Sequence, residues 1–447
     1  MVKTNSLGGE DMKLKKLSIL FVLVLSLLLS ACGGGNEESS KEKDGKVTIE
    51  FMHSSIEQER LAVITDLIEK FESENPNITV DQVPVEEDSY NTKIITLASA
   101  GELPEVIEVG QDYAKVMDKD QLIDNDSVKS IIDEVGEDQF YEGAIKLVKT
   151  EDGESFTGVP ISGWVQGIWY NKEMLESKGF SEPENWDQVL EIAKAFTDAG
   201  NKKYGIALPT VEGLFSEQAF SQFALSNNAN ILDKNGDLSF NTPEMKEALT
   251  YYQELSQYTM PGSNDTTEIK DAFMNGTVPM ALYSTYILPS VFEAGNADKI
   301  GFAVPTEKSK AVFGTVSALT ISSGLEDAQK AAAEKFVSFM AQAENTTEWV
   351  LMSPGGAQPV HKAVVENPDY QANEVIQAFG DLSTEIASSF NDIQVFGLVG
   401  DKNFAKMGDI TSSGALPKLI NGITVGGKDI DSQVKVTETE IQKVIGK

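Results

Sequence analysis

One arginine, two histidines and one cysteine are all that this chain of 447 residues provides. Each scarcity removes a class of chemistry. A single guanidinium, Arg60, leaves the chain short of the bidentate fork that usually grips carboxylate and phosphate. It falls in Gln58-Glu59-Arg60, a pattern that predicts a solvated helix face, so the ligand expected is uncharged. His53 and His361 are too few for a histidine-rich metal site or a cysteine–histidine nucleophile pair. A Ser–His–Asp triad is allowed by count, but no G-x-S-x-G elbow accompanies it. His361, beside Pro359 and Lys362, reads as a surface turn; His53 ends a strand that could face a cleft. A lone cysteine cannot close an internal disulfide. The longest apolar run, Leu17 to Leu29, would make a helix of about 20 Å against a hydrocarbon core of roughly 30 Å, so it is not a span. Basic charge is scarce as well: 36 Lys and Arg face 70 Asp and Glu, a net charge of −34. Such a surface repels phosphate backbones and anionic lipid heads, so neither nucleic acid nor a membrane-binding basic patch is expected.

What is present begins with order. Lys13, Lys15 and Lys16 precede the apolar run, and Leu29-Ser30-Ala31-Cys32 closes it, followed by three glycines. Basic, apolar, small and cysteine in that sequence is a secretion signal, residues 1–31, with its processing point. Met12 is the better start, because Met1 adds Glu10 and Asp11 to the positive region. The tetrapeptide resembles the lipobox of bacterial lipoproteins. That resemblance implies a diacylglycerol on the Cys32 sulfur and Cys32 as the new N-terminus. Loss of the leader, with its four lysines and two acids, takes the charge from −34 to −36. Residues 33–46 (GGGNEESSKEKDGK) form a polar, flexible tether reaching roughly 20 Å. The expectation is an exported protein held by lipid alone on the extracellular face of the membrane, the arrangement of a Gram-positive cell.

The remainder is globular, with 41% apolar residues. Val47-Thr48-Ile49-Glu50-Phe51 alternates as a half-buried strand. Leu61, Ile64, Leu67, Ile68 and Phe71 follow at helical spacing before Pro76. Strand 78–85, helix 90–100 and strand 105–109 complete a β-α-β-α-β series, which predicts an α/β lobe with a mostly parallel sheet. A second series follows. Strands are expected over 158–170, 204–208, 278–283, 300–304 and 312–321, and a hairpin around Asn235-Gly236. Helices are expected over 186–199, 217–224, 243–258 and 326–341, and mostly helix beyond Gly356.

Three motifs invite chemistry and do not carry it. Gly422 to Lys428 mimics a phosphate loop, but Asp429 stands where Ser or Thr would hold magnesium, so the run reads as a helix end and turn. Asp233 to Ser239 spaces oxygens like a calcium loop, yet Leu238 occupies the obligatory glycine position; the hairpin explains the same residues. No pair of acids among the 70 is singled out as a glycosidase dyad. No metal, cofactor or catalysis is expected.

Several stretches resemble the extracellular solute-binding family 1, lipoprotein receptors of ABC importers that carry maltose and other oligosaccharides. They are Phe71 to Ile78 with Val80, Tyr170-Asn171-Lys172 with Pro183 and Trp186-Asp187, Ala272 to Gly276 with Met280, and Gly355 to Val360. Glu105 and Asn185 depart from the family's usual Asp and Thr. The resemblance implies an α/β, two-lobed periplasmic-binding-protein fold whose ligand cleft lies between lobes joined by three crossovers. By position these fall near Gly163, Val316 and Gly356. The N-terminal lobe is then 47–162 plus 317–355 and the C-terminal lobe 163–316 plus 356–447, after a tether of 32–46.

A sugar offers apolar faces and a rim of hydroxyls, so its site needs aromatic platforms and short polar side chains. Trp164 at the first crossover and Tyr286 and Tyr283 after a strand are the expected platforms. Glu212, before a helix, matches a family contact region. Ser54, Ser55 and Glu57 follow the first strand, Gln111 and Asp112 the third, and Gly314 with Thr315 could bring backbone to the ligand. Trp169, Trp186 and Trp349 read as core. The function implied is monomeric capture of a neutral sugar, expected to be an oligosaccharide, by hinge closure and delivery to ABC permease subunits. The alternatives are another solute, a polyol-phosphate or peptide, or a surface glycoside hydrolase.

Overall fold

The computed structural model describes residues 42–43 and 45–446; Cys32, the leader and most of the tether lie outside them. The elements below all lie in one compact unit that begins at Lys46. β1 (Lys46–His53) follows its alternation, burying Ile49 and Phe51 while Thr48 and Glu50 stay half-buried. It pairs in parallel with β2 (Ile78–Pro84), Val47 opposite Ile78, and with β3 (Val106–Gly110), Phe51 opposite Val106. Helices α1 (Gln58–Glu74) and α2 (Glu87–Ala100) make the connections. α1 buries Ile64, Leu67, Ile68 and Phe71, the stripe its spacing predicted. Phe71 and Phe51 both meet Phe336 of a later helix, 327–340, at 5.1 and 5.3 Å between ring centres. Edge contacts of this kind add about 0.5–1.5 kcal/mol each to the burial of the rings.

The parallel expectation holds only for these three strands. β4 (Val159–Asn171), β5 (Met280–Ser284), β6 (Ile300–Ala303) and β7 (Phe313–Ile321) all join antiparallel. β7 returns from the second half of the chain in the opposite direction, which fixes that sense against β3. The resulting order is β2-β1-β3-β7-β4, with β5 and β6 both on β4. β4 is the unifying strand. Its first part, Val159 to Gln166, pairs with β7; its last part, Gln166 to Asn171, pairs with β5 and β6. One hydrophobic core gathers around β1–β3 and a second around Ile168, Phe220, Tyr252 and Leu419.

One local expectation changes. Residues 204–208 form one bridge, Ala207 to Ala281, and no strand, because Tyr204 and Gly205 donate to the carbonyls of Thr277 and Tyr258 instead. Around Asn235-Gly236 the chain does reverse on itself: Leu232 bridges Leu238 antiparallel, the Asp233 and Ser239 N–H groups donate to the carbonyls of Asp237 and Ile231, and the Asp233 carboxylate accepts the N–H groups of Asn235 and Asp237. Among the described residues no helix is long and apolar enough to cross a membrane.

Candidate ligand-binding cleft

The period of two along β4 turns one face of that strand into a wall. Ser162, Trp164 and Gln166 face a cavity of about 530 Å³. The alternate residue, Gly163, faces the other way, where the approach is close. A Cβ on it would fall 2.4 Å from the Thr315 carbonyl and 2.7 Å from Phe390, so only glycine fits. Ser317 of β7 stands opposite Ser162, and Ser284 of β5 opposite Gln166, and both also line the cavity. Ser54, Ser55, Glu57 and Arg60 close one side, from the end of β1 into α1, with Glu87 and Glu108 beside them. Phe215, Gln218, Tyr283 and Tyr286 close the other, and Trp349, Met352, Ser353 and Ala357 complete it. The volume falls in the 300–1,000 Å³ range of small-molecule sites.

The aromatic rings are held by other rings. Trp164 leans on Phe313 at 5.7 Å, Tyr283 meets Phe215 edge-on at 5.7 Å, and Trp349 is anchored by Phe51 at 6.2 Å. Tyr286 is the freest of them, 43% exposed. The polar groups are biased towards accepting hydrogen bonds. Gln166 is wholly buried; its Nε2 donates to the Gln218 carbonyl at 3.3 Å, while Oε1 has no hydrogen-bond partner among the described residues. Burial pushes the Glu108 carboxyl above the usual carboxylate range, opposed by the Ser54 N–H at 3.3 Å, the Ser317 hydroxyl and Arg60. Backbone N–H groups and Arg60 hold Glu57 below that range. Arg60 is paired with Glu57 at 3.7 Å. Three carboxyl groups therefore stand against one guanidinium already engaged.

The expected residues divide. Trp164, Tyr283, Tyr286, Ser54, Ser55 and Glu57 come together on this cavity. Gln111 does not reach it: it is buried, and its Oε1 accepts the Val316 N–H at 2.7 Å. Asp112 points to Lys115 at 3.7 Å, and Glu212 lines a separate hollow with Thr411, Ser413 and Lys418. Gly314 is interior to the ladder, opposite Val165. His361 is buried and caps a short helix by accepting the Ala363 N–H, rather than lying in a surface turn. His53 is buried against Phe51 and Gln82, and burial lowers its pKa. Trp169 and Trp186 are core, whereas Trp349, though buried, also edges the cavity. Arg60 was legible as unique but not as inward-facing. Glu108 could have been found as the one charge inside Val106-Ile107-Glu108-Val109, and Ser162 and Gln166 from the two-residue period around Trp164.

A mixed sheet threaded by one long strand, with an aromatic and polar cleft at its centre, defines a two-lobed binding protein. Residues 55–347 match the model of the bacterial extracellular solute-binding proteins, and the chain belongs to that family. It is 53% identical to the Escherichia coli (strain K12) protein YcjN, whose name describes an ABC transporter periplasmic-binding protein, over 96% of this chain and 98% of that one. It is 27% identical to the Multiple sugar-binding protein of Streptococcus mutans, over 74% and 79% of the two chains. The sugar-binding protein MalE of Xanthomonas citri superposes with a TM-score of 0.74 at 18% identity, over 90% of this chain and 98% of that one, and shows the same fold. The protein is therefore a solute-binding protein and not an enzyme.

Proposed function

We propose that the cleft binds a neutral saccharide, short enough for a 530 Å³ cavity, and delivers it to the permease subunits of the transporter. The observation that carries the reading is the pairing of braced aromatic faces with acceptor groups on both sides of one cavity. Rings such as Trp164 and Tyr286 suit the apolar faces of a sugar, and the carboxyl groups of Glu57 and Glu87 with the hydroxyls of Ser54 and Ser284 suit its hydroxyl groups. Sugar-binding relatives support the class. A polyol-phosphate fits poorly, because the one cavity arginine is engaged by Glu57 and carboxyls surround it. Closure about crossovers near Gly163, Val316 and Gly356 belongs to the same reading. It is supported by adjacency: Gly163 is opposite Val316 in the ladder and exchanges two hydrogen bonds with Gln358, at 3.0 and 2.8 Å. So does attachment through a lipidated Cys32. The name of the E. coli relative speaks against the Gram-positive envelope expected from the sequence, and the reading keeps only an anchored, outward-facing receptor.

The test is a thermal-shift panel of glucose, sucrose, maltose and maltotriose beside glycerol phosphate and a tripeptide. A neutral sugar at 100 times its Kd adds about 2.7 kcal/mol of stability. A shift with glycerol phosphate or peptide and none with any sugar overturns the proposal. Recovery of the sugar in cleaved form would move the protein to the hydrolases.

A further inference from the structure

We infer that Gly356 positions the cleft: its bare Cα is the seat that holds the Tyr286 ring against the cavity. The inference rests on the cleft being the ligand site. A Cβ built on Gly356 would stand 2.7 Å from Tyr286 Cδ1 and 3.0 Å from Cε1, closer than side chains pack. The phenol ring therefore lies directly on the glycine backbone. The neighbouring Thr285 pins the same spot, its buried hydroxyl donating to the Gly356 carbonyl at 2.7 Å. The residue is 43% open to solvent, and among the described residues its ring has no aromatic neighbour like those of Trp164 and Tyr283, so this contact restrains a ring with few others.

The requirement is one of space and not of backbone. Gly355 has φ +78 and is needed for its left-handed turn; Gly356 does not lie in that region, so alanine is conformationally free there. Alanine at 356 would meet only two groups at under 3 Å, the Tyr286 ring and the Ser353 Oγ at 2.7 Å. The hydroxyl can rotate away. The ring can yield only by leaving its seat. The seat is itself fixed to the wall opposite, because Gln358, two residues on, exchanges hydrogen bonds with Gly163 beside Trp164. Two aromatic faces of the cleft are thus referenced to one loop.

The experiment is a cycle of Gly356→Ala and Tyr286→Ala, read with the tightest-binding sugar of the panel. Gly356→Ala should weaken binding roughly tenfold, the scale of losing one well-placed aromatic contact, with little change in Tm. In the Tyr286→Ala background the same substitution should cost nothing further. Equal losses in both backgrounds, or no loss in either, overturn the inference, as does recovery of affinity when Ser353→Ala is added. A readout without ligand decides the matter if no sugar binds and the saccharide reading fails. In protein labelled with 3-fluorotyrosine, the ¹⁹F resonance missing from Tyr286→Ala identifies that ring. It should shift in Gly356→Ala, and an unmoved resonance overturns the seat.

Discussion

Glu217 sits one residue before the cavity-lining Gln218, in the helix Leu214–Ser226, with its carboxyl buried. Only one oxygen is served, Oε1 accepting from the Thr411 hydroxyl at 2.8 Å. Burial pushes its pKa from 4.5 up to about 7, with the Thr411 bond opposing and the Asp112 charge adding to the rise. The folded pKa lies above the unfolded one, so the neutral acid contributes its stability in full below pH 4.5. That contribution is lost as the pH rises through about 7. Glu217→Gln cannot ionise. It should leave stability at pH 4 nearly unchanged and raise it at pH 8 by up to about 3 kcal/mol, measured by urea unfolding at the two values. Equal effects at both pH values would show that the group does not ionise on this scale. At this scale composition spoke clearly about how many arginines there are, and was silent on where Arg60 points. Its helix carries a buried stripe on one face; the direction of the remainder is set by what lies across the cleft.

Among elements, helix starts were well marked. Asp429, read as the residue that spoils a phosphate loop, is the cap of the last helix, Ile430–Ile445, accepting the Ser432 N–H at 2.9 Å. Asp429→Ala should cost about 1 kcal/mol and Asp429→Ser very little, by urea unfolding at neutral pH. If serine proves as costly as alanine, the carboxylate is serving something besides the cap. Strands were legible where apolar residues alternate, as in β1, or cluster around a single charge, as in β3 around Glu108. Their partners were not, since nothing local in Phe313–Ile321 says that it will run antiparallel to both β3 and β4. The misplaced site residues share that cause. Gln111 and Gly314 lie at strand and helix ends that look suitable in one dimension, but cross-strand pairing turned one into a bond to Val316 and the other into the ladder.

For the whole molecule, an excess of acids is the dominant long-range term. A net charge of −34, with its ion pairs mostly at the surface, makes the folded state repel itself. Salt screens that repulsion more than it weakens isolated surface pairs worth 0–1 kcal/mol. The melting temperature should therefore rise by a few degrees between about 10 mM and 300 mM sodium chloride, where the Debye length shortens from about 30 Å to below 10 Å. A fall would mean that the surface pairs outweigh the net charge. The two-lobed architecture was legible through family-like segments spread along the chain. The shape of the cleft was not, because its walls are drawn from segments some three hundred residues apart, such as Ser55 and Ser353.

The single cysteine has a practical use. It precedes the described body, so residues 46–447 contain no thiol. Any pair of cysteines introduced there, one near Ser55 and one near Tyr286 on the facing wall, would be the only two in a soluble fragment beginning after Cys32. Dyes on such a pair would act as a ruler across the cleft with no background labelling. Any motion of one wall against the other could then be followed in real time in one molecule, with each candidate solute judged by the change it provokes.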